Sequence, residues 1–212
     1  MIIIMNISVI ELSKIFGSRA KAQEIVLLLA GAKPVVRQGF YSDELDPVVM
    51  FCNNNNIHIV RSKFLVRIED NHAQFSNKGR VQRIIKRDII ESMTDEYKGM
   101  FFLYLSLNRT LAEQAAYSEE NQDHKSLGLL LGYPECCIKY FDDNFSEQNT
   151  DLEQTSSNPY TKLSLRDKDY VILSHFPCNP ECQKSINLAK KYLSIISRYD
   201  LEYTEELLRR LS

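Results

Sequence analysis

Two stretches of the chain carry the same three letters, Pro134-Glu135-Cys136, followed at once by Cys137, and Pro180-Glu181-Cys182. Each constrains backbone and chemistry together. Proline is accommodated in the first turn of a helix, where the N–H it lacks would have had no partner, and a carboxylate there meets the positive end of the helix dipole. The spacing predicts a helix that opens at Pro134 and runs to about Phe145, with Cys137, Ile138, Phe141 and Phe145 at helical intervals. Gly132 would close the helix before it. A second helix is expected with Asn179 as N-cap and Pro180 at its first position, placing Cys182 in the first turn. Cys182, Ile186, Ala189, Leu193 and Ile196 then form one stripe. Both elements present sulfur at a helix start, where unpaired N–H groups and the dipole favour thiolate over thiol.

Thiolate is the form that binds metals and attacks electrophiles. If the two helix starts face one another, Cys136, Cys137, Cys178 and Cys182 supply four sulfurs, with His175 as a further donor three residues before Cys178. Four thiolates without a cation would repel, and a bound metal removes that difficulty. The spacing departs from the usual zinc pattern, in which paired ligands stand two to four residues apart. Adjacent thiols fit one tetrahedral ion less easily than a multi-iron cluster, unless only one of the pair is used. An iron–sulfur cluster or zinc is therefore expected, in a Cys/His metal centre at converging helix N-termini. The alternative is a thiol-dependent redox enzyme or sulfur carrier, with Cys136 or Cys137 as nucleophile and Cys178 or Cys182 as resolving thiol. The fifth cysteine, Cys52, stands alone in an apolar, strand-like segment and reads as core. His58 and His72 have no companion residues.

The rest of the sequence restricts the setting. A chain of 212 residues that is 44% hydrophobic can bury a core without disulfide staples. Its longest apolar runs, 25–30 and 100–105, are far short of the ~20 residues of a membrane span. The apolar start, 1–5, has no basic residue before it and no small-residue cleavage pattern after it, and reads as a first strand. A cytoplasmic setting follows, where clustered cysteines stay reduced. The Asn53–Asn56 tract argues against a heat-adapted chain. A net charge of −2 gives no global attraction to nucleic acid or anionic lipid.

The pattern along the chain predicts an α+β protein. Residues 1–90 read as an α/β part: helices over 8–16 and 19–30, then strands over 35–38, 48–52 and 57–68. Residues 91–212 read as a helical part carrying the cysteine motifs, either as a second unit or as one continuous domain. The segment 79–91 reads as a basic helix and 98–117 as a strongly apolar one. The polar stretch 146–159 is the linker or loop between the two motifs. Lys78, Arg80, Arg83, Lys86 and Arg87 could track phosphates in an RNA- or nucleotide-binding module, although a solvated helix face accounts for them as well. No phosphate-cradling glycine loop and no Ser-His-Asp pattern accompanies them, and no reaction can be assigned.

The run His124, Leu127, Gly128, Leu130, Leu131, Gly132, Tyr133, Pro134, Cys136, Cys137, followed by His175, Pro177, Cys178 and Cys182, resembles an uncharacterised archaeal family catalogued as domain of unknown function 483. The likeness covers mainly 124–145 and 174–190. It implies an archaeal, cytoplasmic origin and no particular activity. It also draws attention to His124, which opens the first motif.

Overall fold

The computed structural model describes residues 8–69, 80–84, 99–146 and 149–212. Among these the fold is α+β, with eight α-helices and one antiparallel sheet. Local chemistry starts the chain well. Ser8 caps α1 (Val9–Phe16) by accepting from the Ile10 N–H, and Gly17 ends it with φ +78. Ser18 caps α2 (Arg19–Leu29) by accepting from the Lys21 N–H. Then come β1 (Val36–Phe40), α3 (Leu45–Asn54), β2 (His58–Glu69), β3 (Arg80–Ile84) and β4 (Met100–Ser106). The strands lie in the order β1-β4-β2-β3, all pairs antiparallel. The chain continues with α4 (Arg109–Glu120), α5 (His124–Leu130), α6 (Glu135–Asn144), α7 (Gln183–Ile196) and α8 (Leu201–Leu211).

The pleat of β4 explains how helices cover both faces of the sheet. Successive side chains of a strand point to opposite faces. Leu103 and Leu105 enter a large apolar cluster with Phe16, Leu28, Cys52, Leu193 and Leu207, which draws on α1, α2, α3, α7 and α8. Tyr104, between them, enters a smaller cluster with Val35, Ala112, Ala115, Leu127 and Leu131, under α4 and α5. The sheet thus takes strands from both sides of residue 90, and the larger cluster runs from Val9 to Leu211. Among the described residues, no helix is long and apolar enough to cross a membrane.

Several segments differ from the sequence expectation. The segment 48–52 is helical, not a strand: Val48 and Cys52, four apart, are buried while Val49 and Met50 are exposed. That is the amphipathic signature of a helix, hidden by β-branched residues and a short run. The expected single helix over 98–117 is a strand followed by a helix, with Asn108 accepting from the Thr110 N–H to open α4. An apolar run buried on both faces has no periodicity to distinguish it from a buried helix. Of the expected basic helix over 79–91, residues 80–84 form strand β3, carrying Arg80 and Arg83. Lys78, Lys86, Arg87, His72 and the apolar start 1–5 lie outside the described residues.

Candidate metal centre

The first cysteine pair is placed by two glycines and a proline. Gly132 ends α5 with φ +76, its N–H bonding to the Leu129 carbonyl and the next N–H, of Tyr133, to that of Gly128. This pairing is a Schellman motif, and it turns the chain sharply toward α6. Gly128 allows the two helices to touch: a Cβ there would come within 2.7 Å of Ile138. Pro134 stands one position earlier than expected, as the N-cap, and its carbonyl accepts from the N–H groups of Cys137 and Ile138. Cys136 is then half-buried and Cys137 buried in the first turn of α6.

The second motif differs more from expectation. Helix α7 begins at Gln183, so Pro180 and Glu181 belong to a turn and Cys182 is the N-cap. Asn179 builds that turn, its side chain accepting from the Glu181 N–H and its carbonyl from the Cys182 N–H. The stripe below it is as expected, with Ile186, Ala189, Leu193 and Ile196 all buried. Of the polar 146–159 stretch, residues 150–159 carry no helix or strand and pack back on the turn. Gln154 donates to the Cys178 carbonyl, Thr161 to the Pro180 carbonyl at 2.6 Å and Asn158 to the Glu181 carboxylate.

The two motifs meet. The sulfurs of Cys136, Cys137, Cys178 and Cys182 all lie within 4.8 Å of one another. Cys136 is 3.9 Å from Cys137 and 3.8 Å from Cys182, and Cys137 is 3.7 Å from Cys182. A four-sulfur tetrahedron around one ion with bonds of about 2.3 Å has edges of about 3.8 Å. The adjacent pair, which sequence reasoning set against a single ion, therefore points at one common centre. The cluster also has hydrogen-bonding neighbours: the Cys178 N–H donates to the Cys137 sulfur at 3.4 Å, and the Ser185 hydroxyl shares a 3.2 Å hydrogen bond with it.

His175 is close but sits outside this sulfur group. Its Nε2 shares a 2.9 Å hydrogen bond with the Ser185 hydroxyl, so it reaches Cys137 through Ser185. Burial, with the charge of Lys33 adding to it, lowers the His175 imidazole to about 3 and keeps it neutral. Ser185 had escaped sequence reasoning; its position three residues after Cys182, on the same helical face, was the available signal. His124 is not among the sulfurs either. Its ring packs edge-on against Phe141 at 5.3 Å and Phe145 at 5.9 Å.

The thiols divide in protonation. Burial raises Cys182, but the polar groups of Ser185 and the thiols of Cys178 and Cys137 outweigh it and bring Cys182 down to about 6. Burial pushes Cys178 up to about 11, with neighbouring thiols Cys182 and Cys136 adding to the rise. Cys137 is raised as well, again chiefly by burial and against the pull of Ser185. Without an ion, then, Cys182 is the more acidic of these three thiols, and Cys137 and Cys178 hold their protons more tightly. A cation would release those protons. Cys52 is the contrast: fully buried in α3 rather than in a strand, raised to about 12 by burial, it behaves as core, as its isolation suggested.

A second buried polar group adjoins the centre. Lys33, only 2% exposed, bonds to the Glu24 carboxylate at 2.5 Å and to the Ser174 hydroxyl at 3.0 Å. Burial alone would lower its ammonium, but the attraction of Glu24 outweighs it and raises it. The Tyr133 hydroxyl lies 3.2 Å from the same Ser174 hydroxyl, and its ring packs 4.9 Å from His175. Polar contacts thus run from the apolar core at α2 to the cysteine junction.

A cluster of four thiols at two helix starts, with the Cys178 N–H aimed at the Cys137 sulfur, is a site that can hold a metal ion. The family model described as "Protein of unknown function (DUF483)" matches residues 105–211, a span that includes all four cysteines, and the chain belongs to that family. No curated protein and no solved structure matches the chain.

Proposed function

We propose that the protein holds one zinc ion on Cys136, Cys137, Cys178 and Cys182, and that the ion fastens the loop-rich region 149–182 to helices α6 and α7. The observation that carries this reading is that three of the sulfurs, of Cys136, Cys137 and Cys182, stand 3.7–3.9 Å apart, the edge of a tetrahedron around a single ion, with the fourth, of Cys178, within 4.8 Å of each. An iron–sulfur cluster spreads its thiolates over separate irons and would hold them further apart. Four thiolates close the coordination sphere and leave no position for substrate, which makes the role structural. A reducing, cytoplasmic compartment is where such thiols stay available. The test is anaerobic purification with measurement of zinc, iron and acid-labile sulfide. Equimolar zinc without sulfide is the expected result. Iron in equal amount without sulfide would keep the geometry and change the ion, whereas iron with matching sulfide would replace the reading by a cluster.

A second reading has its own observation. Cys182, lowered to about 6, lies within 3.8 Å of two further thiols, the arrangement of a thiolate ready for disulfide exchange. Absence of stoichiometric metal, together with rapid alkylation of Cys182 near pH 7, would select the thiol reading over the zinc one.

A further inference from the structure

A cavity of about 630 Å³ lies between the sheet and helices α5 and α6, and reaches the metal centre only at Cys137 and His175. Its size is that of a pocket for a small organic molecule. The walls are aromatic on both sides. From the helices come Phe141 and Phe145, stacked at 4.5 Å with an interplanar angle of 18°, with the His124 ring edge-on to both. From the sheet comes Phe102, with Phe64 edge-on to it at 6.0 Å. Aromatic walls of this kind favour contact with another ring.

Charge decides what kind of ring. Among the described residues lining the cavity, the cation of Lys or Arg type is Arg37 and the carboxylate is Glu119. They are spent on each other: Arg37 bonds to both oxygens of Glu119, the Tyr104 hydroxyl donates to the same carboxylate at 2.7 Å, and the guanidinium lies 3.6 Å over the Phe102 ring. Among the described residues no charge is left over for a phosphate or carboxylate, and burying an uncompensated anion there would be costly. Uncharged hydrogen-bonding groups are present instead, from Tyr133, Ser174 and His175 at one end.

We propose that this cavity is a binding site for an uncharged, flat aromatic molecule of two or three fused rings, with its polar edge toward Tyr133 and Ser174. The site does not depend on which ion the cysteines hold. The experiment uses the full chain as purified and three fluorescent probes: N-phenylnaphthylamine, its sulfonated counterpart anilinonaphthalene sulfonate, and lumichrome, an uncharged three-ring heterocycle. The expected result is saturable, one-to-one binding of both uncharged probes, with the sulfonate weaker by about tenfold or more because its charge finds no partner. Thr150→Trp and Leu131→Phe, which place bulk into the cavity from two different elements, should each weaken the uncharged probes by about tenfold. Tyr133→Phe should weaken lumichrome several-fold and leave the naphthylamine unchanged. Equal binding of the sulfonate, indifference to both bulky variants in folded protein, or no saturable binding of either uncharged probe would overturn the proposal.

Discussion

The interior around Cys52 and the junction around Cys136, Cys137, Cys178 and Cys182 use the same residue type for opposite ends. Around Cys52, α1, α2, α3, β1 and β4 bury Val9, Phe16, Ile25, Leu28 and Leu105 almost completely, and stability there comes from apolar area removed from water. At the junction, the chain from 149 to 161 and from 174 to 182 contains no α-helix or named strand, and is held by side-chain bonds to the carbonyls of Cys178 and Pro180. Apolar packing tolerates small displacements, whereas hydrogen bonds and sulfur ligation require particular atoms at particular distances. One region folds on its own composition. The other rests on particular polar contacts around four thiols that could hold a metal ion.

The sharpest way to break this contrast is chelation, which on the proposed function strips an ion from the four cysteines. Hydrogen exchange after chelation should accelerate by about a hundredfold or more in α6, in 149–161 and in 176–186, while α2 and β4 keep their protection. Cys136→Ser with Cys182→Ser should reproduce the pattern without chelator. Unchanged protection in protein shown to have lost its metal would end the contrast.

Lys33 joins the two regions, since it bonds to Glu24 on α2 and to Ser174 in the junction. Lys33→Met leaves a buried carboxylate unpaired and should cost about 3–5 kcal/mol in urea unfolding, most of it recovered when Glu24→Leu is added. A loss confined to the junction, with the global transition unmoved, would place Lys33 with the loop rather than with the core.

Cys52→Ser buries a hydroxyl in the apolar cluster and should cost about 1–3 kcal/mol with metal content unchanged. Metal lost together with stability would show that the two kinds of cysteine are not independent.

The smallest effect concerns pH. The His175 imidazole, lowered to about 3 against an ordinary 6.5, stays neutral in the fold while the unfolded chain takes up a proton. Its contribution is fully present above pH 6.5 and is lost as pH falls toward 3. Between pH 6.5 and 5.5 the protein should lose roughly 1 kcal/mol, with metal content followed in parallel. His175→Gln should flatten that slope, and an identical slope in the variant would remove His175 as its source.

Local rules written into the sequence determined the starts of α1 and α2, the turn at Gly132, the sulfur-bearing motifs and the core character of Cys52, because capping, φ preference and burial tendency act within a few residues. They also made the α+β class legible. Long-range packing decided the rest. Whether 100–105 is strand or helix depends on β1 and β2 lying on either side of it, and whether Val48 and Cys52 share a helix face depends on the core they meet. The same holds at the site. Pattern alone named four cysteines and His175, but only the meeting of α6 with the turn before α7 brought the four sulfurs within 4.8 Å of one another, set His175 behind Ser185, and aligned Lys33 with Glu24 and Ser174. Distances between residues remote in sequence are set by the whole packed structure, and local sequence preferences carry no term for them.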